Sequence, residues 1–340
     1  MKRILHLSII VVLTVVFLFL FFRNSDAGRV WSLVRSAHVG WLLCGFAANF
    51  LALVCRAERW RTILDPDHRP AFYPTFFATA LGFMTSTILP IRAGDVVRPA
   101  LLARRTNIRF SAALGTVLTE RVLDLMSILT LFLIFVGTSG RHFATDPSTS
   151  RHFVYIKTAA IAAGAGVILL GGFVVALFFS REFVRRVHGR LARLLPVRFH
   201  DSWMNFFDSF VASLDIASHP TALVRVVLTT AAIWIFLCSQ FFFVVQALGH
   251  PLPFTSSFFV TGMTIVGLMI PTPGGVGGFH KACQIALTNF YGFSIDSSVA
   301  VALLFHLVGV LPVIVTGTIL FLREGLSWKQ LSRISENRQE

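Results

Sequence analysis

Residues 72–103 read FYPTFFATALGFMTSTILPIRAGDVVRPALLA. The stretch opens as an apolar segment, Phe72–Leu89, and stops at Pro90-Ile91-Arg92-Ala93-Gly94-Asp95. It resumes as Val96–Ala103 and ends at Arg104-Arg105. About 20 apolar residues cross the hydrocarbon core of a bilayer as a helix, so two readings compete. If Phe72–Leu89 crosses fully from a cytoplasmic start, Arg92, Arg98, Arg104, Arg105 and Arg109 all fall outside. Basic residues are biased to cytoplasmic loops, which argues against that. If the chain enters and turns back at Pro90–Gly94, then Arg104, Arg105 and Arg109 return to the cytoplasm. The basic cluster Arg181–Arg198 and the tail with Arg323 and Lys329 then become cytoplasmic too. The re-entrant hairpin satisfies every short loop at once, with both termini cytoplasmic.

Composition supports a membrane protein. Of 340 residues, 55% are hydrophobic and 14% charged, with a mean hydropathy of +0.74, whereas soluble domains carry about 25% charged residues. Phe is abundant (35) and Tyr scarce (3), as suits lipid-facing helices. The formal net charge is +14, and Lys supplies only Lys2, Lys157, Lys281 and Lys329. The arginines cluster between apolar blocks, which fits topology and anionic headgroups rather than nucleic acid. Cys44, Cys55, Cys238 and Cys283 lie in or beside apolar segments without a Cys-x-x-Cys pair, so no disulfide framework, zinc site or other metal is expected.

Working outward, the expected full spans are Ile4–Phe22, His38–Cys55, Ser111–Gly137, Val154–Phe179, Leu223–Leu248 and Val299–Leu322. Lys2 and Arg3 before the first apolar run also resemble a signal peptide, but that run is long for one and many spans follow, so a retained helix is expected. A polar loop is expected from Thr138 to His152. Between Arg181 and Arg198, Phe183, Val184, Val187, Leu191, Leu194 and Leu195 recur at helical spacing among six arginines. Residues 181–218 therefore read as an amphipathic connector lying on an anionic leaflet. A second interrupted segment, Phe258–Tyr291, breaks at Pro271-Thr272-Pro273-Gly274-Gly275-Val276-Gly277-Gly278. The order span, span, hairpin, span then repeats with opposite orientation, over residues 1–137 and 154–322. The expected fold is an all-α polytopic membrane protein, about six full spans plus two re-entrant helical hairpins in inverted-topology halves of one integral membrane domain. Broken helices at matching places in inverted halves point to a transporter's binding site.

Three groups of residues stand out. Glu120 and Asp124 are four apart on one helix face, and Arg121 lies about 100° round. Each buried charge costs about 2.5–3.5 kcal/mol at mid-bilayer, so these face protein, water or each other. They either clamp helices as an ion cluster or handle substrate. At the first tip, Arg92, Asp95 and Arg98 surround a break that frees backbone N–H groups, and a half-helix starting near Asp95 favours an anion. The alternative is that both arginines bind lipid headgroups at the interface. At the second tip, Gly274, Gly275 and Gly277 precede His280 and Lys281. This suits either a phosphate cradle or a tight turn without a ligand. Arg56, Glu58, Arg59 and Arg61 read as interface anchors. Asn49 and His306 read as interhelical hydrogen-bonding residues. No nucleophile–base constellation is visible, so no enzyme activity and no cofactor are expected.

Four ordered motifs carry a family resemblance: Arg56-x-x-Arg59-Trp60, Leu89-Pro90-x-Arg92-x-Gly94-Asp95-x-x-Arg98, Glu120-Arg121-x-x-Asp124 and Pro271-x-Pro273-Gly274-Gly275-x-Gly277. In order and spacing the chain resembles the lysylphosphatidylglycerol synthase transmembrane-region family, the flippase-like membrane proteins related to the membrane half of the multiple peptide resistance factor. The resemblance implies a lipid flippase in a bacterial-type cytoplasmic membrane. Asp95 stands where the family usually has Glu, and His280 where it often has Glu. No soluble aminoacyltransferase region precedes Glu340, so lysyl transfer is not expected. The expected substrate is an anionic phosphate-containing or aminoacylated lipid, with Arg92, Arg98 and Lys281 around one cavity. The alternative is an accessory subunit presenting a polyprenyl- or hopanoid-type lipid to a separately encoded lipid synthase or glycosyltransferase.

Overall fold

A computed structural model describes residues 2–65, 69–88, 93–145, 150–179, 204, 208, 210–212, 216, 218–270 and 272–325. Among these, every regular element is helical. In chain order they are α1 (Lys2–Phe22), α2 (Ala27–Ser36), α3 (Val39–Leu64), α4 (Phe72–Ile88), α5 (Gly94–Ala103), α6 (Phe110–Thr145) and α7 (Ser150–Phe179). Then come α8 (Pro220–Ala247), α9 (Ser256–Gly267), a 3₁₀ turn at Pro273–Gly275, α10 (Gly278–Tyr291) and α11 (Ile295–Arg323). Four described segments, Val39–Leu64, Phe110–Ser139, Pro220–Ala247 and Ile295–Arg323, are long and apolar enough to cross a membrane. The amphipathic connector expected over 181–218 lies almost wholly outside the described residues, as do Arg92, Pro90 and Pro271 at the two breaks.

The helix ends differ from the sequence reading in three places. α3 does not stop at Cys55 but runs on to Leu64, carrying Arg56, Glu58, Arg59 and Arg61 within the helix. Nothing in that stretch breaks a helix; only its charge suggested an end. The polar loop expected over 138–152 is largely helical, because α6 continues to Thr145 and α7 begins at Ser150. Finally, α2 went unpredicted because ten residues are too few for a span. It is an amphipathic helix capped by Asp26, whose side chain accepts from the N–H groups of Gly28 (2.8 Å) and Arg29 (3.2 Å). Its Val30 is buried while Trp31 faces outward.

The interrupted segments form two pairs of short helices, α4 with α5 and α9 with α10. α5, α9 and α10 have 10, 12 and 14 residues, about 15–21 Å at 1.5 Å per residue, against a hydrocarbon core of about 30 Å. None of the three crosses alone. Both pairs close on the same device. A Cβ on Gly82 would press on the Arg98 side chain, and one on Gly94 would fall on the Gly82 carbonyl. A Cβ on Gly267 would fall on the Gly278 carbonyl and press on Ala282. Gly82, Gly94 and Arg98 thus correspond in place to Gly267, Gly278 and Ala282.

The pairs meet at their tips, where a Cβ on Gly274 would stand 3.0 Å from the Thr87 carbonyl oxygen. α11 packs on both pairs, touching α4 and α10. α3 packs most extensively on α8. Asn49 ties these long helices together as expected, donating to Gln240 Oε1 (3.1 Å) and to the Gly309 carbonyl of α11 (2.9 Å). At the end of α11, Glu324 accepts from Arg105 Nη2 (2.6 Å) and from the Tyr73 hydroxyl (2.8 Å). Those bonds hold its carboxyl down at about 2, below the ordinary value.

The glycine crossings make a direct stability test. Gly94→Ala and Gly267→Ala should each cost about 1–3 kcal/mol or more through overpacking. Gly262→Ala, in α9 with nothing near its Cβ position, should gain about 0.5–1 kcal/mol. Unfolding of purified protein in mild detergent reads the order; equal behaviour of the three variants refutes the close crossing.

Candidate functional site

The buried charges come together where α3, α5 and α6 meet. α6 presents Glu120 and Asp124 on one face, as their spacing requires. α3 brings Arg59, only 1% exposed, whose Nη1 donates to Asp124 Oδ1 at 2.8 Å and whose Nε lies 3.5 Å from Glu120 Oε1. α5 brings Arg98, 2% exposed, whose guanidinium binds the other Glu120 oxygen. Arg98 also lies over the Trp60 ring, 4.1 Å from its centroid, and Trp60 is fixed by donating from Nε1 to Thr116 Oγ1 at 2.9 Å. The cation over the indole face contributes attraction that desolvation strengthens.

Arg121 turns away from this core, as its 100° offset dictates, and bridges Asp95 and Asp124 at 3.2 Å each. It and Asp95 are about one-third exposed, the most open members of the group. Arg56 is held loosely, 4.0 Å from Asp124 and over the Phe83 ring. Counting Arg56, Arg59, Arg98 and Arg121 against Asp95, Glu120 and Asp124, the group has one cation more than anions. The surplus positive charge and the partial exposure of Arg121 and Asp95 make this edge the open side of the group. Buried ion pairs resist loss of either member because the remaining charge is stranded.

Arg98, read with the first tip, thus partners the α6 charge Glu120. Arg59 was placed at the interface and is instead the central cation of the network. The motif Arg56-x-x-Arg59-Trp60 contained the signal, since three-residue spacing puts both arginines on one helix face. Glu58 and Arg61 do behave as a peripheral pair, at 3.1 Å, joined by Arg69 at 3.3 Å. Arg92 lies outside the described residues.

The second group sits elsewhere. Gly274 packs on Thr87, and Gly277, at φ +94°, packs on Phe17 of α1. These close approaches to helices suit the tight-turn reading of the tip. His280 is buried, accepts from the Gly277 N–H at Nδ1 (3.3 Å) and stacks near Phe21 and His306. Lys281 donates to the Leu20 carbonyl (3.1 Å) and to Gln284 Oε1 (2.7 Å). The expected common cavity for Arg98 and Lys281 is therefore not formed by the described residues. Lys281 is one residue before Ala282, the counterpart of Arg98, and this rotates it about 100° toward α1. No group of three or more His, Cys, Asp or Glu side chains able to hold a metal occurs among the described residues.

Four apolar spanning helices, two interrupted helix pairs and a buried ion network define a multi-pass membrane protein. Residues 5–317 match the family model of the lysylphosphatidylglycerol synthase TM region, and the chain belongs to that family. It is 28% identical over 326 residues to "Glycosyltransferase AglD" of Haloferax volcanii, covering 87% of this chain and 51% of that protein. It is 34% identical over 91 residues to "UPF0104 membrane protein MJ1078" of Methanocaldococcus jannaschii, covering 26% of this chain and 37% of that protein. The chain thus spans about half the length of the first relative and less of the second. Family and relatives together suggest a lipid-related or flippase-like role in a membrane.

Loss of one network partner should strand the other. Arg98→Met and Glu120→Gln should each cost about 3–5 kcal/mol, with the double variant costing clearly less than both added. Arg61→Gln should cost about 0–1 kcal/mol. Additive losses in a double-mutant cycle would show that Arg98 and Glu120 do not act as a pair.

Proposed function

We propose that this chain translocates an anionic, phosphate-containing or aminoacylated lipid across a cytoplasmic membrane, without covalent chemistry. The observation that carries this reading is the buried network with its surplus cation, built partly on α5 beside the meeting point of the two short helix pairs. Six spans and two re-entrant hairpins, in inverted halves over 1–137 and 154–322, complete the proposed architecture. The corresponding glycine crossings of the two pairs support it. Interrupted backbone is tolerated at membrane depth where protein or water covers it, and the glycines of the second tip lie against Thr87 of α4 and Phe17 of α1.

A headgroup phosphate would replace the Asp95 carboxylate on Arg121, the open edge of the network. Asp95, Glu120 and Asp124 would then face any amine on the headgroup. An accessory subunit that presents a polyprenyl-type lipid to a partner enzyme is the second reading. The glycosyltransferase name of the Haloferax volcanii relative favours it.

Reconstitution into liposomes with tail-labelled phosphatidylglycerol, read by chemical quenching of the outer leaflet, tests transport. Loss of one charge-assisted bond, about 1.5–3 kcal/mol, should slow Arg121→Gln about ten- to a hundredfold at equal insertion. Arg61→Gln should stay within about twofold. Wild-type rates in both Arg121→Gln and Arg98→Gln would remove the network from transport.

Topology is tested by labelling single cysteines placed at Arg104 and Arg190 in a cysteine-free chain. Both should react from the cytoplasmic side only. Reaction from opposite sides would overturn the inverted halves.

A further inference from the structure

Away from the ion network, α1 and α10 run side by side and leave a cleft of about 320 Å³. Asn24, Lys281, Gln284, Thr288 and Asn289 give it polar walls on a rim of apolar residues. Contacts between the helices step along together: Gly277 meets Phe17, Lys281 binds the Leu20 carbonyl, and Gln284 donates to the Phe21 carbonyl at 3.2 Å. Arg23 follows directly, exposed and near enough for its charge to bear on Lys281.

Lys281 therefore lines the cleft, with the positive charge of Arg23 close by. In the ion pairs of the described residues Lys281 and Arg23 find no carboxylate. Lys281 is held by neutral acceptors only, a backbone carbonyl and an amide oxygen. These bonds already carry the charge of the donor, but a phosphate adds charge–charge attraction that a carbonyl or amide oxygen lacks, so it competes well for this ammonium. The amide groups of Asn24, Gln284 and Asn289 offer further donors. The helix-pair correspondence explains the placement: Ala282 fills the position of Arg98 against α9, and the neighbouring lysine faces α1 instead.

We infer that the α1–α10 cleft is a second anion site, separate from the ion network, that takes the phosphate of an anionic headgroup on Lys281 with Arg23 beside it. Its side of the membrane rests on the orientation proposed above. With the N-terminus cytoplasmic, the C-terminal end of α1 and the cleft face the opposite side. Arg59, five residues before the end of α3, lies toward the cytoplasmic side. The two sites thus serve opposite leaflets, one receiving a headgroup and the other releasing it.

The test uses the full chain in phosphatidylcholine nanodiscs, with its native cysteines replaced and Ile285→Cys as reporter at the cleft. Probes are short-chain phosphatidylglycerol, short-chain phosphatidylcholine and glycerol 3-phosphate, each read by slowed maleimide labelling. Phosphatidylglycerol should protect the reporter; Lys281→Gln should weaken that protection about tenfold or more, Arg23→Gln by less, and Lys281→Arg should retain it. Protection by glycerol 3-phosphate as well supports phosphate recognition without acyl chains, and protection by the lipid alone supports a lipid headgroup. Equal protection by phosphatidylcholine, or unchanged protection in both Lys281→Gln and Arg23→Gln, overturns the site. The Arg23→Gln arm holds if Lys281→Gln fails to fold, since Arg23 is exposed beyond the end of α1. Protection without lipid translocation keeps this site and removes the transport reading; translocation without protection does the reverse.

Discussion

A charge buried at membrane depth must find an opposite charge, and in this protein that requirement binds three helices at one place. Glu120 and Asp124 on α6 hold Arg59 of α3 and Arg98 of α5. Each helix alone would carry an intolerable group; together they neutralise all but one charge. The short helix α5 is anchored by this demand, because Arg98 pairs with Glu120 of α6 while Asp95 on its own helix pairs with Arg121 of α6. The position of the first interrupted pair against the long helices follows from it. Trp60 closes the arrangement by covering the Arg98 guanidinium and spending its own N–H on Thr116.

The second requirement is close backbone approach. Within each interrupted pair the two helices touch backbone to backbone. Glycine at both faces of each crossing allows it, Gly82 with Gly94 and Gly267 with Gly278. The two pairs share this joint while sharing little else in sequence. One pair places an arginine beside the joint and commits it to the ion network. The other places alanine there and moves its cation one residue back, where it faces α1. A common scaffold thus carries two different electrostatic surfaces, one a network of ion pairs and the other a lysine held by neutral acceptors.

The His280–His306 contact fits between these. His280 occupies the first turn of α10 and accepts from the Gly277 N–H, so its ring holds the glycine tip in shape. Its neighbours are Phe21, Phe279 and His306 rather than any carboxylate.

Much was legible in the sequence because the bilayer makes composition and length decisive. Long apolar blocks became long helices, the breaks at Pro90–Gly94 and Pro271–Gly278 became helix ends, and the spacing of Glu120, Arg121 and Asp124 fixed their faces. The ordered motifs were sufficient to name the family. Yet charge misled where it was taken as a mark of the surface. Arg59 sits inside α3 because a partner helix supplies carboxylates, and nothing within α3 announces that. The glycines could be read as flexible turns or as crossings, and only their neighbours on the opposing helix decide between the two. Lys281 belonged by sequence with the first tip's arginines, but a one-residue offset from the crossing turns it toward α1. Periodicity and composition determine which residues share a face. Which face meets which, and hence which charges cancel, depends on contacts between residues far apart in the chain, and the tertiary structure alone sets those.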